Sequence, residues 1–315
     1  MIEESSEFPD RKYNDFEDKL MKTSLLKSLF SSILFFITVL LYFSPEVNAD
    51  PRPPSVILDN NIVITTNEIP YYGGQLFKKY PLRWIVDKEA RTAWVYEGDK
   101  DKMPKVFVDI PLHIKIDKIG IVNGYAKSIS AYYDNNRIEG VSVQYSTSIK
   151  SQKIKFNIDL LSMQYFTLEA KTDGLLQINL NIDHTSAGKK FNDTCISDLD
   201  IISDGHSLIN PDTYITSNGG EYPDFELFKD KKRIIKFEDN VEEAFFIEAG
   251  QYAVFKHGLG SLGITIYNIP TGKHIHVFPD LEIHTIIWKD GYFIGTASTQ
   301  GSNSEFKYKK KIRLP

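Results

Sequence analysis

At 315 residues with 42% hydrophobic side chains, the chain is long enough to bury a sizeable core and to carry two folded units. Its formal net charge of −5 argues against a nucleic-acid partner, since no basic excess exists to displace the counterions of a phosphate backbone. A lone cysteine, Cys195, excludes an intramolecular disulfide, so the fold must stand on its core alone.

In chain order, residues 1–20 are acidic and show no useful amphiphilic pattern, and Met21 reads as the start. Ser28 to Ser44 is uncharged, follows Lys22 and Lys27, and precedes Pro45-Glu46-Val47-Asn48-Ala49. Positive flank, apolar helix, breaker and a Val-x-Ala site predict a secretory signal cleaved after Ala49. The alternative is an uncleaved anchor that crosses the membrane once, although the run is short for a span of about twenty residues. Either reading exports the bulk of the protein, to the periplasm, the cell surface or the medium.

Asp50-Pro51-Arg52-Pro53-Pro54 opens a stiff linker, with a leading strand completing residues 50–69. Period-two or β-branched runs follow at 56–58, 62–66, 105–110, 114–122, 138–146, 153–158, 165–170 and 175–182. Short Gly, Asn and Asp turns separate them, which predicts an antiparallel β-sandwich with jelly-roll connections. Cys195 begins a further alternating stretch and reads as a buried, inert thiol.

Three polar and aromatic segments stand where strands should end: Asn123 to Ser128, Tyr132 to Arg137, and Asn192 to Ser197. Their placement predicts that they meet at one rim. A sugar presents hydroxyls around an apolar C–H face, so its site needs aromatic surface beside amides, carboxylates or arginine. Asn123, Tyr125, Tyr132, Tyr133, Asn135, Asn136, Arg137 and Asp193 offer that set. The same residues have a structural reading, in which Asn-Gly is turn chemistry, the asparagine pair satisfies backbone groups and the tyrosines cap the sandwich.

The segment Asp87-Lys88-Glu89-Ala90-Arg91-Thr92-Ala93-Trp94 resembles the Asp-Gly-x-x-x-Thr-x-Trp signature of discoidin, or coagulation-factor-type C, domains. With Ile119 to Ser128, Tyr133 to Ile138 and Asp193 to Leu199, residues 70–203 are similar to the branch called the NADase-type glycan-binding domain. The resemblance implies a galactose-binding-like sandwich whose loops recognise glycans or another cell-surface ligand. It also implies a structural calcium ion, with Asp87, Thr92 and Asp198 at the matching positions and turn carbonyls completing the oxygen set. Lys88 replaces the signature glycine. The alternative makes Asp87 an Asx turn and Asp198 an exposed strand residue. Trp84 and Trp94 are assigned to the core.

From 204 to 315, short runs at 234–237, 242–248, 252–256, 263–268, 274–278, 284–288 and 292–297 predict a small second β-sheet or barrel domain. About 110 residues are too few for a propeller of four four-stranded blades. His274 and His276 share a strand face, with His257 and His284 as possible neighbours, but no carboxylate or cysteine completes a zinc set. No nucleophile elbow, His-Glu-x-x-His or paired-carboxylate motif occurs. The expectation is an all-β, exported, non-enzymatic carbohydrate-binding or adhesion protein that meets a membrane only through an uncleaved N-terminal segment. The alternatives are an enzyme with its active site in 204–315 and the sandwich as targeting module, or a cell-envelope assembly module.

Overall fold

The alternating runs of the sequence become strands in the computed structural model, which describes residues 52–67, 79–96, 103–111, 114–146, 151–169, 177–220, 223–237, 241–258, 262–302 and 304–315. The expected signal helix lies outside them. Among the described residues no helix is long and apolar enough to cross a membrane.

The first strands are β1 (Ser55–Leu58), β2 (Val63–Thr66), β3 (Trp94–Tyr96), β4 (Lys105–Asp109) and β5 (Lys118–Asn123). A short helix, α1 (Ile129–Asp134), precedes β6 (Arg137–Tyr145), β7 (Ser151–Lys155), β8 (Gln164–Thr167), β9 (Gln177–Ser186) and β10 (Thr194–Ser203). Next come β11 (His206–Ser207), β12 (Thr213–Ser217), β13 (Phe225–Lys229), β14 (Lys232–Phe237), β15 (Val241–Ile247) and β16 (Tyr252–His257). The last are β17 (Ile264–Asn268), β18 (His274–Val277), β19 (Leu281–Lys289), β20 (Tyr292–Thr299) and β21 (Phe306–Lys311).

These strands build four sheets. One has nine strands in the order β14-β13-β12-β1-β2-β4-β9-β6-β7, and a second runs β11-β10-β5-β8 with β3 paired to β10. The third is the meander β15-β16-β17-β18, and the fourth is β19-β20-β21. Alternation along each strand fixes which face is buried. Val56, Leu58, Ile64, Val108, Val141, Leu180, Ile119, Ile121 and Leu199 fill the core between the first two sheets, a discoidin-like β-sandwich. Trp94 lies in that core at 1% exposure. Trp84 is only half-buried, which corrects its assignment to the core.

The nine-stranded sheet does not stop where the sandwich was expected to end. Strand β12 pairs with β1 in the register Val56 to Thr216 and Leu58 to Tyr214, so residues from beyond 204 extend the same sheet. On the opposite face of these strands, Ile57, Ile215, Phe225 and Leu227 pack against Ala244, Phe246, Ala253 and Phe255 of the third sheet. The other face of that sheet, with Val254, Ile264 and Ile266, packs on Ile283, Ile286, Phe293 and Ala297 of the fourth. Among the described residues the result is four layers around three main cores, with a smaller cluster of Ala93, Val95 and Cys195 beside Tyr80 and Tyr125, within Ala49–Pro315, which is one compact unit. The β-sheet expected over 204–315 is present, but it shares strands with the sandwich and does not stand apart from it.

Local chemistry supports the hairpins. Asp204-Gly205 and Asp290-Gly291 have positive φ at both positions, the twist that a two-residue hairpin requires.

Candidate functional site

The three loop segments do converge. Gly124 bridges to Ile196 and Asn136 bridges to Thr194, which ties the loop after β5 and the end of α1 to the first residues of β10. Gly124 serves two needs at once. Its φ is +73°, and a Cβ there would lie 2.9 Å from the Tyr132 ring and 3.2 Å from Arg137 Cγ. Ser197 Oγ donates to the Gly124 carbonyl at 2.9 Å and accepts from the Ala126 amide at 2.8 Å, which fixes the loop that carries Tyr125.

Most of the amides are committed to this framework. Asn123 is fully buried; its side-chain amide donates to the Ile138 carbonyl at 2.7 Å and its oxygen accepts from the Ile138 amide at 2.6 Å. Asn135 donates to the Ala131 carbonyl at 2.8 Å, while Asn136 donates to the Asn192 carbonyl at 3.0 Å and accepts from the Gly188 amide at 2.8 Å. Tyr132 is fully buried beneath the rim, with its hydroxyl donating to the Ile158 carbonyl at 2.8 Å. These four residues hold the framework of the site, the structural role that the sequence also allowed them. Short polar side chains at strand ends satisfy the backbone groups that the turn leaves unpaired.

A smaller set keeps polar or aromatic groups that the framework does not use up. Arg137 is 8% exposed, its Nη2 donates to Ser186 Oγ at 3.1 Å, and its buried Nε has no partner. The guanidinium lies 4.9 Å from the Tyr133 ring centroid and 5.9 Å from that of Tyr132. Exposed Lys189 sits 5.4 Å from the same Tyr133 ring. Asp193 is half-buried, its carboxylate makes no hydrogen bond to another described residue, and burial raises its pKa. Half-buried Tyr125 packs edge-on against Tyr80 at 6.3 Å, and Tyr80 packs edge-on against Trp84 at 5.9 Å. Sequence reasoning passed over Tyr80 and assigned the half-exposed Trp84 to the core, because both belong to a different stretch of chain from the rim loops. It also passed over exposed Ile129, Leu160 and Phe191, whose only sequence signal is an apolar residue inside a polar loop.

The expected calcium positions assemble differently. Asp87 spends one oxygen on the Glu89 amide at 2.9 Å and the other on the Thr92 hydroxyl at 2.8 Å, the Asx-turn alternative. Lys88 adopts φ +58°, as the signature glycine would, and its ammonium reaches Asp200 Oδ1 at 2.7 Å. Asp198 is 6% exposed, which corrects its reading as an exposed strand residue, and its Oδ1 is buried without a partner. Burial pushes the Asp198 pKa up to about 7; Lys88 opposes the shift and Asp87 adds to it. Burial also acts on Asp200, but hydrogen bonds from Lys88 and Ser207 outweigh it and hold that carboxyl below its ordinary value. Among the described residues no group of three His, Cys, Asp or Glu side chains is placed to hold a metal ion. The donor set does not fit calcium, because the Asp87 oxygens are taken and a lysine ammonium already sits among the carboxylates.

In the third sheet, His276 Nδ1 and His257 Nε2 both contact Thr265 Oγ1, at 3.2 and 2.8 Å, and His274 stacks on Tyr267, while in the fourth sheet His284 contacts Ser298. His257 and His276 thus share one hydroxyl, and His274 and His284 have partners of their own. Cys195 is fully buried and burial raises its thiol pKa, so it is inert as expected.

No curated protein matches this chain. Residues 71–202 match the family described as the NAD glycohydrolase translocation F5/8 type C domain. Similar solved structures include the F5/8 type C domain of a Bacteroides fragilis protein, 11% identical over 47% of this chain and 95% of that one, with a TM-score of 0.33. The family 32 carbohydrate-binding module of C. perfringens NanJ, in complex with galactose, is 12% identical over 47% of this chain and 98% of its own, with a TM-score of 0.31. A pectin-binding carbohydrate-binding module is 16% identical over 45% of this chain and 89% of its own, with a TM-score of 0.31. Residues 71–202 therefore have a discoidin-like fold of the F5/8 type C kind.

Proposed function

We propose that this rim is the recognition surface of a non-catalytic, glycan-binding module carried by an exported protein. The observation that carries the reading is Arg137, a buried guanidinium stacked against Tyr133 whose Nε has no partner inside the protein. Unpaired buried donors are rare because each costs its desolvation, so one at a loop rim is a group waiting for an acceptor. Tyr125, next to Gly124, with Tyr80 and Trp84 packed in turn against it, adds partly exposed aromatic surface, and Asp193 adds an acceptor. Planar aromatic surface beside a few fixed donors and acceptors is what a sugar ring requires. The matching family is described by a part in NAD glycohydrolase translocation. The apolar run at 28–44, with its basic flank, supports export.

The test is a glycan array probed with residues 49–315. Tyr132 is unsuitable for mutation because its loss would empty the core, so Tyr125→Ala and Arg137→Lys are the informative changes. Each is expected to weaken the best glycan about tenfold or more, since lysine cannot reproduce the planar, stacked fork of arginine. Circular dichroism should not change. Wild-type binding to no glycan, or both variants binding as the wild type does, would reject the proposal.

A further inference from the structure

We propose that the outward face of the β19-β20-β21 sheet docks onto an anionic lipid surface. The pairing register decides which side chains share that face. Tyr292 lies opposite Lys311, Ile294 opposite Lys309, and Thr296 opposite Lys307. On the other side of β20, Tyr292 lies opposite Lys289 and Ile294 opposite Ile287. The reverse face, with Ile286, Phe293 and Ala297, is the one buried in the core. One sheet face therefore carries Lys289, Lys307, Lys309 and Lys311 around a centre of Tyr292, Ile287 and Ile294. All four lysines are exposed, and none lies in an ion pair with a carboxylate among the described residues. Glu282, opposite Ser298, and Glu305, two residues before Lys307, bring carboxylates at its far end, and Asp290 lies in the turn after Lys289, none of them paired with these lysines among the described residues.

The concentration of positive charge runs against the composition, since the whole chain has a net charge of −5. Three lysines at alternate positions of a strand repeat about every 7 Å along a nearly planar surface. Lysine on an edge strand also discourages pairing with another sheet, a role open to Lys289 on the opposite edge as well, but that role does not call for an apolar centre. The Lys309 ammonium lies 4.7 Å and that of Lys311 6.0 Å from the Tyr292 ring centroid, so cations and aromatic ring are held together on the same exposed face. A flat face with cations around tyrosine and isoleucine suits a lipid interface, where rings and aliphatic chains sit at headgroup level and each lysine gains from the anionic potential. A hydrated polyanion would complement the lysines but leave the isoleucines unused. The proposal does not depend on glycan binding at the sandwich rim, which is on another sheet.

The test uses residues 49–315, a compact unit with its own cores and without the apolar run at 28–44, in sedimentation with vesicles. Binding is expected to phosphatidylcholine vesicles containing about a third phosphatidylglycerol, to be lost in high salt, and to be absent on pure phosphatidylcholine. The K307Q/K309Q/K311Q variant is expected to bind on the order of a hundredfold more weakly, and K307R/K309R/K311R to bind as the wild type does. Undiminished binding by the glutamine variant, equal binding to neutral vesicles, or retention on heparin without vesicle binding would each overturn the proposal. Should the glutamine variant fail to fold, the wild-type salt titration decides, and binding that persists in high salt counts against it.

Discussion

Lys88 shows how much one side chain can alter a site. A residue other than glycine at φ +58° carries backbone strain of roughly 1 kcal/mol, and Lys88 keeps that conformation while its ammonium neutralises Asp200. Asp200 is 6% exposed at its side chain, so removing the cation leaves a nearly buried carboxylate alone. Lys88→Met keeps the strain and loses the charge, and is expected to destabilise by on the order of 2 kcal/mol, reduced from a fully buried pair because the lysine is partly exposed. Lys88→Gly should be milder, since it relieves the strain. Urea denaturation measures both, and a glycine variant more stable than wild type would mean that the ion pair contributes less than the strain costs. Because the lysine already supplies a cation here, the melting temperature of the wild type should be the same in calcium and in chelator; a rise in calcium would show that the ion binds after all.

At the scale of elements, β10 links the two polar regions of the sandwich. Its first residues anchor the rim through Asn136 and Gly124, and its middle carries Asp198 and Asp200 beside β5. Asp198 titrates at about 7 in the fold, against about 4 in an unfolded chain, so the folded state holds an extra proton between those values. Stability should therefore fall as pH rises from about 4 through 7 and level off above that. Asp109 on β4, raised by burial to about 6, adds to the same trend. Asp198→Asn removes its share, so the variant's gain over wild type in urea midpoint should be larger at pH 8 than at pH 5, both approximate settings that bracket the titration. An equal difference at the two settings would show that Asp198 ionises normally. Strand β10 also shows where pattern reading loses resolution. Its buried aspartates look like solvent-facing positions in a period-two strand; Lys88, Ser207 and Tyr165 show why Asp200 can be buried, while Asp198 is buried with one oxygen unpartnered and its pKa raised instead.

For the molecule as a whole, the shared nine-stranded sheet makes the sandwich and the chain beyond residue 204 one cooperative structure. Ile57 faces one core while Val56 and Leu58 face another, so β1 belongs to both. A chain ending at residue 203 would lose β12, leave an edge of β1 unpaired and expose Ile57. Such a truncation is expected to be aggregated or to melt well below residues 49–315. A monomeric product with the same melting temperature would make the sandwich an independent domain. The same coupling means that deleting the sandwich is not a clean way to look for an activity in 204–315.

The sequence by itself determined the all-β class, most strand positions, the inert cysteine and the loops that meet at the rim. Those follow from local rules: alternation, Asp-Gly turns and polar residues at strand ends. Helix α1 and strands β3, β11, β12, β13 and β21 escaped it, α1 being a six-residue turn and β21 a lysine-rich edge with little alternation. Only the tertiary structure decided which polar residues are spent on the backbone and which remain for a ligand. Asn123 and Tyr132 read like binding residues, yet they are buried and bonded, whereas Arg137 keeps an unpaired donor. Satisfaction of a polar group depends on partners far along the chain, such as Ile158 beneath Tyr132 and Ser186 beside Arg137, and spacing in one sequence does not encode those distances.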